Sequence, residues 1–381
     1  MRIGARYELA SEMATLYCTV GRAEKGLLLD HFCGVTGYNR KYALSLLGGR
    51  QRRRRSARRR LLYGAKVQTA LAILWEAAGY ICAERLRPFL PELLDSLERH
   101  RALVVDAETR AKLSRISVAT LKRRLKKLAV LVRGRRMSTT RPGSLLRRQI
   151  PVELSGFDRD VAGYLEIDLV AHCGDSGAGQ FIYTLCATDL ATGWTERVAV
   201  LGKGQALIVA AIEQIQAQLP FALRGLHSDN GSEFLNAMLL NWCKERAVAF
   251  TRGRPYRKND NAHVEQKNWT LVRKLIGYSR LETPEQLAWL NALYAELLRP
   301  YNNCFQPVMK LVEKARRNGV LTKHYDIPKT PLRRVLAAGE SCPMLGELEQ
   351  LAQTTNPLAL KRRIDRSLAA MPHALEVHRS A

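Results

Sequence analysis

Between residues 161 and 275 the chain alternates short apolar runs with turn-forming stretches in an order that few folds accommodate. Residues 164–170, 181–188 and 194–200 each read as a strand, divided by Asp175-Ser176-Gly177 and by Thr192-Gly193. An amphipathic helix comes next at 207–219, then a short strand at 223–227, a helix at 233–246 and a brief strand at 248–251. Past a polar loop, a further helix spans about 261–275. A meander of three strands followed by alternating helices and strands predicts an α/β fold, a mixed five-stranded sheet flanked by helices.

Inside this stretch sit acids that an apolar strand does not ordinarily tolerate. Asp168 lies in GYLEIDLV among Leu165, Ile167, Leu169 and Val170. Burying its charge is costly unless it is exposed on one sheet face or bound to a cation. Glu166, two residues earlier, points to the same face and competes for the same role. Asp229 follows a short apolar run in RGLHSDNGSEF, where a ligand can project from the carboxyl edge of a sheet; Asp-Asn-Gly is also an ordinary turn. Glu265 lies in NDNAHVEQKNW on the expected helix, with Asp260 as a nearby competitor. Two-metal phosphoryl transfer needs hard oxygen ligands from three converging acids, holding two ions about 3.5–4 Å apart. His227 and His263 lie close by, but Mg2+ prefers oxygen, so both are expected to pack or to support the acids. Trp242 and Trp269 are expected in the core.

Charge is unevenly distributed. The 381 residues include 61 Lys+Arg and 35 Asp+Glu, a net +26. Residues 1–150 hold 33 basic and 11 acidic residues; 151–381 hold the other 28 and 24. A strongly basic part joined to a near-neutral remainder fits polyanion binding. Within 1–60, a helix at 24–32, a turn at Gly34-Val-Thr-Gly37 and a helix capped by Asn39 and ending at Gly48-Gly49 fit a helix-turn-helix. A plain helical hairpin fits the local sequence equally well. Arg40 and Lys41 open the second helix, and Arg52, Arg53 and Arg54 belong to the adjoining run RQRRRRSARRR, an arm suited to clamping phosphates.

A second helical block covers about 64–133. Ser117 can cap a helix whose Leu121, Leu125 and Leu128 face inward, while Lys122, Arg123, Arg124, Lys126 and Lys127 occupy the outer face. DNA contact is favoured over a solvated basic face, because five cations without an interspersed acid repel one another unless an anion meets them. Arg257 and Lys258 before Glu265, and Lys267 after it, form a further cationic stretch that would neutralise phosphates; a solvated loop is the alternative. Residues 134–150 read as a linker. No apolar run approaches about 18 residues and MRIGARYELA lacks a signal-sequence core, so neither membrane spanning nor secretion is expected. Eight scattered cysteines without a CxxC pair fit a reduced, cytoplasmic protein.

Taken together, EIDLV, HSDNGSEF and NAHVEQKNW resemble the three blocks of the retroviral-integrase-like core family, which includes many bacterial insertion-sequence transposases. Between Asp229 and Glu265 lie 35 residues, the separation behind that family's D,D-35-E name. The resemblance covers about 161–305 and implies an RNase H-like core. It further implies that Asp168, Asp229 and Glu265 are the catalytic metal ligands, for two Mg2+ (or Mn2+) ions, with Asn230 and Glu233 supporting. The expected activity is that of a DNA transposase or integrase, hydrolysing phosphodiesters at element ends and transferring the 3′-OH into target DNA. Its expected partners are double-stranded DNA, both element ends and target, and further copies of the chain in a dimer or larger assembly. No membrane is expected, a helper ATPase is left open, and the location is cytoplasmic, on the bacterial nucleoid. Two departures stand out. His31 and Cys33 alone cannot make the family's amino-terminal four-ligand zinc module, so no structural zinc is expected, and the tail looks helical. The expected organisation is a helix-turn-helix with basic arm at 1–60, a second helical DNA-binding module at 61–138, a linker at 139–160, the core at 161–305 and a helical region at 306–381. The alternative is a sequence-specific DNA-binding repressor with an inactive core; an RNase H-type ribonuclease shares the metal chemistry but needs no paired reading modules.

Overall fold

The computed structural model describes residues 3–48, 63–132, 160–228, 237–252, 267–317, 320–340 and 342–372. The chain divides into two compact units, Met1–Leu62 and Tyr63–Ala381.

The first unit holds α1 (Ile3–Thr19), α2 (Arg22–Thr36) and α3 (Arg40–Leu47) around a small core of Ala10, Leu29, Phe32, Ala43 and Leu47. Glu24 fixes the start of α2 by accepting from the Gly21 N–H at 3.1 Å. The turn comes three residues later than the sequence suggested. α2 continues through Gly34 because Phe32 and Thr36 are buried, and it ends at Gly37, whose left-handed backbone (φ 69°) sends its N–H back to Cys33. Asn39 caps α3 as expected, accepting from the Lys41 N–H at 3.0 Å.

The second unit begins with α4 (Ala65–Ala77), α5 (Ala83–Arg99), α6 (Ala107–Arg115) and α7 (Val118–Val132). Leu71, Leu86, Leu90, Leu113, Leu121 and Leu125 interlock in their core. Expected as a module of its own, this bundle is instead fastened to the carboxyl-terminal part of the unit. Tyr301 donates to the Ala77 carbonyl at 2.9 Å, Gln306 to that of Ala78 at 3.0 Å, and Leu358 completes the bundle's core.

Next come β1 (Tyr164–Ala171), β2 (Ile182–Asp189), β3 (Thr195–Leu201), α8 (Gln205–Gln218), β4 (Gly225–Ser228), α9 (Ala237–Glu245) and β5 (Ala249–Arg252). The sheet runs β3-β2-β1-β4-β5, antiparallel among the first three and parallel from β1 to β4 and β5. The mixed five-stranded sheet is thus as the apolar pattern indicated. Leu165 and Ile167 of β1 and Val198 of β3 join Ile208, Ala211 and Ile212 of α8 in one continuous core.

The other face is covered by α10, which is in π register over Asn268–Arg273 and α register over Lys274–Ile276. Beside it runs the long α11, α over Pro284–Ala292, π over Leu293–Leu298 and α again over Arg299–Phe305. Edge strand β3 finds its missing partner here. Asn291 accepts from the Ala199 N–H and donates to its carbonyl (2.8 and 3.0 Å), and Asn303 does the same at Thr195 (3.0 and 3.1 Å). An edge blunted in this way cannot template pairing with another chain.

After α11 the tail is helical as expected, with one strand pair ahead of its helices. A hairpin of β6 (Leu311–Arg317) and β7 (Val320–Tyr325) precedes α12 (Pro331–Ala337), α13 (Pro343–Thr354) and α14 (Pro357–Ala369). Asn356 caps α14 as expected.

Replacing Asn303 by Ala leaves two buried backbone groups of β3 unsatisfied and is expected to cost about 3 kcal/mol in urea unfolding. A change under about 0.5 kcal/mol would show that β3 does not depend on α11.

Candidate active site

Strand β1 carries alternate residues to opposite faces, so Glu166 and Asp168 share the face that α10 and α11 cover. The two acids differ in environment. Glu166 is fully buried, level with Thr188 of β2 and His227 of β4, whereas Asp168 is half-buried. Of the two rivals on this strand, Asp168 is the one a solvent-borne ligand reaches.

Each Asp168 oxygen accepts a hydrogen bond. Oδ1 takes the Leu169 N–H at 2.8 Å, and Oδ2 takes the Asn268 amide at 2.6 Å. Asn268 is buried and comes three residues after Glu265 in sequence. Attention to acids alone overlooked it; the signal was an uncharged amide on the helix expected to carry an acid.

Level with Asp168 across the sheet lie Cys186 of β2 and then Arg197 of β3. Arg197 is 4% exposed. It donates from Nη1 to the Leu271 carbonyl at 3.1 Å, in the π segment of α10, and its guanidinium stacks 5.1 Å from the Tyr294 ring centroid. Nε and Nη2 are buried with no hydrogen-bond partner. Burial pulls its pKa below the ordinary value. π-Helical segments loosen the usual backbone ladder and concentrate at functional sites, and Arg197 takes one such carbonyl. An arginine within TERVAVL was a visible anomaly, since unpaired cations are almost never placed inside an apolar strand.

Lys267 was expected to present its charge to DNA. Its ammonium instead turns to the Gly193 carbonyl at 3.2 Å, and burial, with repulsion from Arg85 and Arg197 adding to it, pulls its pKa down to about 7. Burial raises the Cys186 thiol to about 11. Deeper still, His172 Nε2 and Thr184 Oγ1 are 2.8 Å apart, and Thr184 Oγ1 and the Tyr294 hydroxyl 2.8 Å.

β4 ends at Ser228, one residue before Asp229; Asp229, Asn230, Glu233, Arg257, Lys258, His263 and Glu265 lie outside the described residues, as do Arg52, Arg53 and Arg54. His227 packs as expected, buried, with Nδ1 2.7 Å from Thr251 Oγ1. Trp242 is in the core, bonded to Glu213, but Trp269 is 44% exposed, contrary to expectation, because it sits on the outer side of α10. In the helical units Lys41, Arg123 and Lys126 are exposed, Arg40 pairs with Asp30, and Lys122 meets Glu84 at 2.5 Å. The supposed acid-free face of α7 thus has one internal acid from α5.

Hard divalent cations favour carboxylate oxygen. Asp168 fits such a ligand: a half-exposed carboxylate rising from an apolar strand, already oriented through both of its oxygens.

Residues 159–258 match the family described as Integrase core domain. The protein named "Uncharacterized protein y4rM", from Sinorhizobium fredii (strain NBRC 101917 / NGR234), is 42% identical over 334 residues, 87% of this chain and 95% of y4rM. The chain belongs to the y4rM family and bears an integrase core domain. The resemblance seen in EIDLV and HSDNGSEF falls within that match, and a transposase or integrase function in the general sense goes with it. Against the Pro-Pol polyprotein of Feline foamy virus the identity is 26% over 114 residues, 30% of this chain and 9% of the polyprotein. Two solved structures are similar over 30% of this chain: the BIV integrase catalytic core domain (22% identity, 70% of that chain, TM-score 0.25) and the HTLV-2 integrase catalytic core domain in complex with magnesium (14%, 68%, 0.24). The RNase H-like core of this y4rM relative rests on its strand order and its integrase-core match. Among the described residues, no helix is long and apolar enough to cross a membrane.

His172 yields a pH prediction. Burial, reinforced by Arg273, lowers its pKa from 6.5 to about 4. Its contribution to stability is therefore present above pH 6.5 and lost as the pH falls through about 4, an upper bound of about 3 kcal/mol. His172→Gln, which can keep the bond to Thr184, is expected to unfold with a shallower loss of stability than wild type between pH 6.5 and 4.5. Parallel curves for the two proteins would contradict this.

Proposed function

We propose that this protein is a DDE transposase that cuts and rejoins DNA, with Asp168, Asp229 and Glu265 holding two Mg2+ (or Mn2+) ions. One observation carries the reading: the 2.6 Å hydrogen bond from Asn268 to Asp168. Glu265 precedes Asn268 by three residues, so the covalent chain holds their Cα atoms within about 11 Å. Asp229 is joined directly to Ser228, the last residue of β4, which pairs in parallel with β1. Chain connectivity thus supports a meeting of all three acids on the α10 side of the sheet.

In this reading the bound ions supply activation of the attacking water or 3′-hydroxyl and neutralisation of charge on the leaving oxygen. The protein's own groups do the rest. Leu169 N–H and Asn268 hold the Asp168 carboxylate in one orientation, and Arg197 anchors α10 through Leu271. Asn230 and Glu233 would support the second acid. No Ser or Tyr nucleophile is needed, and no covalent protein–DNA linkage forms. Two element ends must be held together, which calls for a dimer or larger assembly acting on double-stranded DNA in the cytoplasm.

The test is nicking of supercoiled plasmid carrying the sequences that border the gene, in Mg2+ or Mn2+. Asp168→Asn, Asp229→Asn and Glu265→Gln are each expected to lower nicking by about 1000-fold or more while leaving DNA retention intact. Metal-dependent nicking that survives Asp168→Asn removes the proposed centre. Retention without nicking by the wild type under any condition points to a binding protein instead.

A further inference from the structure

The β6–β7 hairpin has no role in the sheet or in the site just described. An isolated two-stranded hairpin is at best marginally stable in water, yet every described side chain on these strands except Ala315 is exposed. Its charge is strongly positive. Residues 310–325 contain five Lys or Arg and one Glu, a net +4, which is the whole net charge of residues 151–381. The rest of that region is neutral. Lys314 and Lys323 occupy directly paired positions across the two strands.

The root of the hairpin is tied down by several contacts. Val308 bridges to Lys329, and the Asp326 carboxylate accepts the Lys310 N–H at 2.7 Å while pairing with Arg334 at 2.7 Å. That root lies beside the catalytic face. A Cβ on Gly193, which has φ 73°, would come within 3.1 Å of Val308, and the Gly193 carbonyl receives the ammonium of Lys267, the neighbour of Asn268. Pro307, at the same root, accepts from Arg85 at 2.7 Å. A short chain of contacts therefore runs from Asp168 through Asn268, Lys267 and Gly193 to Val308.

We propose that the β6–β7 hairpin is a DNA-gripping arm, set beside the catalytic centre, that holds the sugar–phosphate backbone of the duplex being processed. This rests on the reading of DNA as substrate and adds a surface that the integrase core match, ending at residue 258, does not include. A two-stranded ribbon fits a DNA groove, and the exposed cations Arg316 and Lys323 provide the charge complementarity. Gripping the backbone carries no sequence preference, so the arm binds element ends and target alike.

Binding of the full chain to a fluorescent mixed-sequence duplex, in EDTA across a salt series, separates this arm from the chemistry. Lys314→Gln/Arg316→Gln/Lys323→Gln removes three cations and leaves every apolar residue in place. Its salt slope is expected to fall by about 0.9 per lost phosphate contact, with about 100-fold weaker binding at 0.15 M salt. The melting temperature should be unchanged, and Lys314→Arg/Lys323→Arg should bind like wild type. Equal affinity and equal slope for the Gln variant would overturn the arm while leaving the carboxylate site untouched. An unchanged DNA isotherm with altered sedimentation would reassign the hairpin to contact between copies of the chain. Absence of DNA binding by the wild type would overturn both the arm and the DNA reading beneath it.

Discussion

The Asn268 amide and the Asp168 carboxylate join the first strand of the sheet to the helix that lies across it. Asp168 is held at both oxygens, so its carboxylate is aimed before any ligand arrives. A charged group accepting in this way gains more than a neutral pair would. The same bond fixes where the chain emerges after Glu265. The local geometry of the proposed centre depends on that contact and on the parallel pairing of β1 with β4.

Behind it stands a second layer of constraint. Arg197 secures the π segment of α10, and Asn291 and Asn303 of α11 complete the hydrogen bonding of β3. Buried polar groups without partners destabilise a fold, so each of these side chains ties a helix to a defined register of the sheet. The α4–α7 bundle adds to the same body through Tyr301, Gln306 and Leu358. The basic face of α7 is thereby carried on the same unit as Asp168, whereas α1–α3 form a unit of their own.

Much of this was legible in the sequence because burial leaves a period. β1 through β5 appear as apolar runs bounded by Gly and Asp, and Leu121, Leu125 and Leu128 trace the inner face of α7. Asn39, Ser117 and Asn356 announce helix starts through chemistry local to the chain. What escaped were contacts between distant segments. No local pattern tells that Asn303 satisfies Thr195, or that Leu358 belongs to the core of the α4–α7 bundle. The β6–β7 hairpin escaped for a different reason: its strands are largely exposed and lack apolar alternation. The Asn318-Gly319 pair between them in sequence was the available signal, as Asn-Gly favours two-residue hairpin links. Four of the expected supporting and catalytic residues, Asp229, Asn230, Glu233 and Glu265, lie outside the described residues and stand on sequence spacing and connectivity.

The most direct measurement is anomalous scattering from Mn2+ in crystals of the full chain. Convergence of the carboxylates predicts two peaks about 3.5–4 Å apart, which Asp168, Asp229 and Glu265 would hold. Manganese bound elsewhere, or Glu265 turned away from Asp168, would contradict the account.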